Sequence, residues 1–158
     1  MQKFTKYPRK YNKYISASVY DVLDEDYDIQ LETARQTSDV RILRRLANSH
    51  YWRVQVSVAC NEATPADVLD KLADVRIEDV NEAVALNENT APETLNKLSK
   101  VYSDVVKRAV AQNPNTPPEA LYELFQYRLD QVVRSNAFAN LTSRNIPIEP
   151  MVNRMRGN

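Results

Sequence analysis

VKRAVAQNPNTPPEALYEL, residues 106–124, decides how the chain is read, because two further stretches of the same length repeat its pattern. VNEAVALNENTAPETLNKL occupies 80–98 and VQVSVACNEATPADVLDKL occupies 54–72. Asn61, Asn87 and Asn113 stand 26 residues apart, and Asn140 follows after 27. Val54, Val80, Val106 and Val133 each precede an asparagine by seven; Thr64, Thr90 and Thr116 each follow one by three. The leucine pairs Leu43/Leu46, Leu69/Leu72, Leu95/Leu98 and Leu121/Leu124 step by the same 26, which places an earlier unit before Asn61. Self-similarity at such a period marks a stack of small supersecondary units.

Each unit reads as two short helices. The first carries valines at i and i+4, as in Val80/Val84 and Val106/Val110, and stops at the asparagine. The second opens at Thr64-Pro-Ala-Asp67, Thr90-Ala-Pro-Glu93 or Thr116-Pro-Pro-Glu119, where a threonine N-cap, an early proline and a carboxylate three residues on form a capping box. On this reading Thr90→Ala and Thr116→Ala each remove an N-cap worth about 0.5–2 kcal/mol. With glycine absent from the units, asparagine is the residue expected in a left-handed C-terminal position, its amide satisfying turn carbonyls. No helix exceeds about ten residues, so each is stable only against its neighbours. No period-2 alternation suggests a sheet. The expected fold is all-α, a right-handed solenoid of two-helix repeats over residues 38–143, with a basic aromatic arm at 1–14, an acidic helical cap at 15–37 and a C-terminal cap or tail at 144–158.

Composition removes many functions. One glycine in 158 residues, Gly157, excludes a Walker loop, a dinucleotide fingerprint and a nucleophile elbow, all of which need internal glycines. Single residues Cys60 and His50 exclude an internal disulfide and a dedicated Cys/His metal site. Cys60 is expected as a small packed thiol, and His50 as a turn residue on the opposite side of the first helix from it. No cofactor and no catalytic residue are expected. No run of eighteen apolar residues occurs, so no spanning helix is expected, and residues 1–14 lack the apolar region of a secretory signal; a cytoplasmic location is the expectation.

The 106–124 stretch resembles the leucine-rich repeat variant family, whose unit reads V-R-x-x-V-A-x-N-P-x-T-P-x-x-x-L-x-x-L; 54–73 and 80–99 match with drift and 133–143 in part. The resemblance implies paired short helices in a right-handed superhelix, close to HEAT-like and armadillo-like folds. It implies a binding scaffold without shared catalytic residues. Some members hold an iron–sulfur cluster on N-terminal cysteines, which this chain lacks.

Candidate contacts are the residues that depart from the repeat. A step of 26 from Trp52 lands on the acids Glu78, Asp104 and Asp130, and the same step from His50 lands on Arg76, Tyr102 and Arg128. His50, Tyr51, Trp52 and Arg53 are therefore the partner-contact candidates, since tryptophan, tyrosine and arginine concentrate at interface hot spots. The competing reading packs Trp52 against the N-terminal cap. Nucleic-acid candidates are Lys3, Lys6, Arg9, Lys10 and Lys13, interleaved with Phe4, Tyr7, Tyr11 and Tyr14, together with Lys107, Arg108 and Arg134. The reading favoured over nucleic-acid contact for that arm is that it folds onto the acidic 15–38 segment or docks on a partner through its aromatics, with a solvated tail as the further alternative.

Lysine plus arginine balance aspartate plus glutamate at 21 each, so the chain has no bulk basic field for a nucleic acid. The favoured function is protein–protein recognition by a non-enzymatic scaffold. The alternatives are a nucleic-acid-binding accessory protein and an enzyme like HEAT-like DNA glycosylases, the latter needing a pocket that joins Trp52 to an acid such as Glu78. An incomplete cap at either end would favour end-to-end association of copies.

Overall fold

The structure, a computed structural model, describes residues 26–148. Within these residues the chain is helical without strand: α1 (Tyr27–Gln36), α2 (Val40–Leu46), α3 (Trp52–Cys60), α4 (Ala66–Ala73), α5 (Glu78–Leu86), α6 (Pro92–Leu98), α7 (Asp104–Gln112), α8 (Pro118–Phe125) and α9 (Gln131–Ser143). The basic arm, residues 15–25 of the acidic 15–37 segment and residues 149–158 of the tail lie outside the described residues.

The odd-numbered helices pack in succession, each along the next, and α4, α6 and α8 follow one another beside them over fewer residues. The repeated apolar residues form one continuous core. Val54/Val58, Val80/Val84 and Val106/Val110 from the odd helices meet the four leucine pairs from the even ones, and every one of these side chains is at most 2% exposed. Burial of this stripe against neighbours stabilises helices of seven to ten residues that would not persist alone in water.

The asparagines join unit to unit. Asn87 Nδ2 donates to Ala59 O at 2.7 Å and Asn61 O at 3.1 Å; Asn113 Nδ2 donates to Ala85 O at 2.7 Å and Asn87 O at 2.9 Å. Asn61 bonds Ala34 O and Thr37 O in the same manner, and Asn140 bonds Ala111 O and Asn113 O. The amides thus satisfy carbonyls at the end of the preceding odd helix, where the helix leaves acceptors unpaired. In the opposite direction the first three Oδ1 atoms accept from the backbone N–H two residues on.

The backbone differs from the left-handed expectation. Asn61, Asn87 and Asn113 are C-caps with φ of −77°, −74° and −68° and ψ of 124°, 126° and 127°, an extended geometry open to any residue. Among described non-glycine residues only Asn145 has positive φ, at 54°. The units therefore need no glycine, and asparagine is used for its side chain.

The threonines are not N-caps. The caps of α4, α6 and α8 are Pro65, Ala91 and Pro117, one residue later, with no side-chain cap bond. Thr64, Thr90 and Thr116 instead donate Oγ1 backwards to Val58 O, Val84 O and Val110 O, each at 2.6 Å and inaccessible to water. Thr116→Val should cost about 1–2 kcal/mol because a buried carbonyl loses its partner while the shape is kept. Thr116→Ser should recover most of it; comparison of the two thermal midpoints checks the assignment.

The last unit has a shifted register. The extra residue before Asn140 makes Gln131 the equivalent of Trp52, Glu78 and Asp104 as the first residue of its helix. Asp130 falls instead with Tyr51, Ile77 and Ser103 as an N-cap. For the same reason Leu129, 79% exposed, takes the place assigned to Arg128.

Candidate functional site

The loop entering α3 is fixed to α1 by a buried hydrogen bond from Ser49 Oγ to Gln30 Oε1 at 2.7 Å; the Tyr51 N–H donates to the same hydroxyl at 3.2 Å. Tyr51 turns inward and meets the Tyr27 ring edge-on, with centroids 5.1 Å apart, against the core. His50 stays exposed, its ring centroid 3.8 Å from that of Tyr51. Trp52, the first residue of α3, is 38% exposed, and the Arg53 guanidinium lies 5.0 Å from its ring centroid, within cation–π range. The four residues thus divide: Tyr51 anchors the loop to the N-terminal helix, while Trp52 and Arg53 present an aromatic and cationic surface. Glu78 and Asp79 are exposed at the corresponding start of α5.

The two basic candidates on α7 are each engaged by a residue that follows α8. Lys107 Nζ lies 4.2 Å above the Tyr127 ring, and the Tyr127 hydroxyl donates to Asp104 Oδ1 at 2.6 Å. That bond to a carboxylate, reinforced by desolvation, pushes the phenol pKa up to about 12. Arg108 donates Nε to Asp130 Oδ2 at 2.8 Å and closes the pair with Nη2. Asp130 is buried and also accepts the N–H groups of Val132 and Val133, capping α9. The Arg108 hydrogen bond, followed by the one from Val133, holds its carboxyl below the ordinary range. Its contribution to stability is therefore present above the unfolded carboxylate pKa and is lost as pH falls through the lowered one. Arg134 is half-buried beside an open cleft of about 490 Å³ that Phe125, Gln131, Ser135 and Phe138 also line. Lys3, Lys6, Arg9, Lys10 and Lys13 lie outside the described residues.

Sequence reasoning missed the Asp130 cap and the Ser49–Gln30 bond. A step of 27 from the α7 N-cap Ser103 would have found the cap; nothing local signals the second, whose partners are 19 residues apart. Arg41 pairs with Asp39, at 2.7 Å, and Arg44 reaches Asp67 on α4, with Nη2 2.9 Å from Oδ1. The Arg41 pairing draws the Asp39 pKa down to about 2.

His50 precedes the first residue of α3 by two and Cys60 is its last; the nine residues of the helix span roughly 13 Å. Contrary to the packed thiol expected, Cys60 is exposed at the helix end. Partial desolvation of its sulfur, then the charge of Glu82, raises its pKa and suppresses the thiolate at neutral pH. Among the described residues no three His, Cys, Asp or Glu side chains are grouped to hold a metal, and no helix is long and apolar enough to cross a membrane. The cleft between α8 and α9 includes neither Trp52 nor Glu78, the pair a glycosylase-like site would need.

No protein-family model matches the chain, nor does any curated protein or solved structure. The likeness to the leucine-rich repeat variant unit rests on the repeated residues themselves.

Proposed function

We propose that this protein is a non-enzymatic helical-repeat scaffold of the leucine-rich repeat variant kind, acting in the cytoplasm by binding another protein. In this reading the two-helix units stack into a right-handed solenoid. The odd helices, which approach one another more closely than the even ones, line its inner side. The neutral overall charge and the separate engagement of Lys107 and Arg108 favour a protein partner over a nucleic acid.

The observation that carries the reading is the Trp52–Arg53 pair on α3, at a register position where α5 and α7 begin with acids. A large aromatic ring at 38% exposure, held by a guanidinium, supplies contact area with little side-chain freedom to lose on binding. Because Tyr51 and not Trp52 fastens the loop to α1, Trp52→Ala should change stability by less than about 1 kcal/mol. The same substitution should abolish stoichiometric capture of a protein partner from native lysate treated with nuclease. A large loss of stability in Trp52→Ala would return the residue to a packing role. Recovery of nucleic acid that vanishes when residues 1–14 are deleted would replace this reading by the nucleic-acid one.

A further inference from the structure

The C-terminal end of the stack differs from every interior joint. Within the array the positions equivalent to Phe138 are Ala59, Ala85 and Ala111, all fully buried, and those equivalent to Phe125 are Ala47, Ala73 and Ser99, all buried. These small residues let the next unit approach closely enough for its asparagine to bond the carbonyls of Ala59, Ala85 and Ala111. In the last unit both positions become phenylalanine. The two rings stack, with centroids 5.8 Å apart and planes 29° from parallel, and Phe138 remains 41% exposed.

The acceptors that a following unit would use are also consumed. Helix α9 has thirteen residues where α3, α5 and α7 have nine, so it continues past its asparagine. Phe138 O accepts the Thr142 hydroxyl at 2.9 Å. Asn140 O accepts the Ser143 hydroxyl at 2.9 Å and the Arg144 N–H at 3.3 Å. Arg144 Nη1 reaches Thr116 O at 2.6 Å, corresponding to the Thr64 O that Asn89 bonds from the next unit inside the array.

We infer that Phe125 and Phe138, with Thr142, Ser143 and Arg144, form a built stop that closes this end of the stack against a further unit or the end of a second copy. The inference rests on the stacked-unit reading above and is independent of any partner. Steric bulk occupies the space a neighbour would fill, and the helix extension satisfies the carbonyls it would bond.

Duplication tests the stop. Residues 114–140 are inserted a second time directly after Asn140, so that the first phenylalanine pair becomes interior. One version keeps that pair; the other carries Phe125→Ser and Phe138→Ala in the first copy only, the residues found at Ser99 and Ala111. The second version should gain the helical circular-dichroism signal of one more unit and melt in a single transition at or above the original midpoint. The version retaining the pair should melt lower, by on the order of 5 °C or more, with the added unit in a separate step. Equal behaviour of the two, whether both fold or both fail, would overturn the assignment of the stop to the pair. The stacked-unit reading is tested separately, by duplicating residues 88–113 after Asn113 with no substitution; failure of that chain to fold would count against the stack itself.

Discussion

Asn113→Ala will lower the stability of the chain by about 3–4 kcal/mol, far more than removal of a surface amide. The Asn113 side chain is 3% exposed and makes three hydrogen bonds: two to Ala85 O and Asn87 O and one from Asn115 N. Alanine leaves two carbonyls and an N–H without this partner, and an unsatisfied buried group costs about 1–3 kcal/mol where water cannot reach it. The thermal midpoint should fall by roughly 10 °C. Asn113→Asp should be at least as damaging, because a carboxylate cannot donate to the two carbonyls and meets them as a like-signed group. Chemical and thermal unfolding of both variants checks the values. A loss below about 1 kcal/mol would mean that the ladder is incidental to the packing.

Leu95→Ala should cost about 3–4 kcal/mol by a different route. Leu95 lies on α6 in the middle of the array and is fully buried; its loss opens a cavity that short helices on either side can only partly fill. Since each unit is stabilised chiefly by its neighbours, the effect should be felt beyond the damaged unit. Trp52, on α3, provides an optical test of this spread: its fluorescence transition and the circular-dichroism transition should move down together. Separation of the two curves would show that α3 holds its structure without the central unit.

The repeat of valine, asparagine and leucine made the helical units legible in the sequence, because burial on one face of a short helix leaves the same trace at every turn of the array. The Thr-Pro-x-Glu pattern was less informative. A threonine before a proline fits an N-cap as well as it fits a hydroxyl turned back to the previous helix, and only the position of the first helical residue separates the two. Asparagine likewise suits a left-handed cap and an extended one; the amide was correctly expected to satisfy turn carbonyls, but its partners lie in the preceding unit, 26 to 28 residues away in the examples of Asn87 and Asn113.

At the candidate site, the departure of Trp52 from the repeat was visible, whereas the division between an inward Tyr51 and an outward Trp52 depends on Tyr27, which no spacing rule links to them. Lys107 and Arg108 read as free cations from sequence because Tyr127 and Asp130 come from the following unit. The one-residue lengthening before Asn140 hid the Asp130 cap, since a constant step of 26 aligns that residue with the wrong column.

The most direct test of the central claim, that side-chain amides couple unit to unit, is hydrogen exchange of the asparagine Nδ2 groups followed by nuclear magnetic resonance. Asn113 and Asn140, each buried and donating to two carbonyls, should exchange far more slowly than the exposed Asn48, whose amide bonds carbonyls of its own helix. Exchange of the Asn113 and Asn140 amides as fast as that of Asn48 would contradict the ladder and, with it, the stacking it is held to enforce.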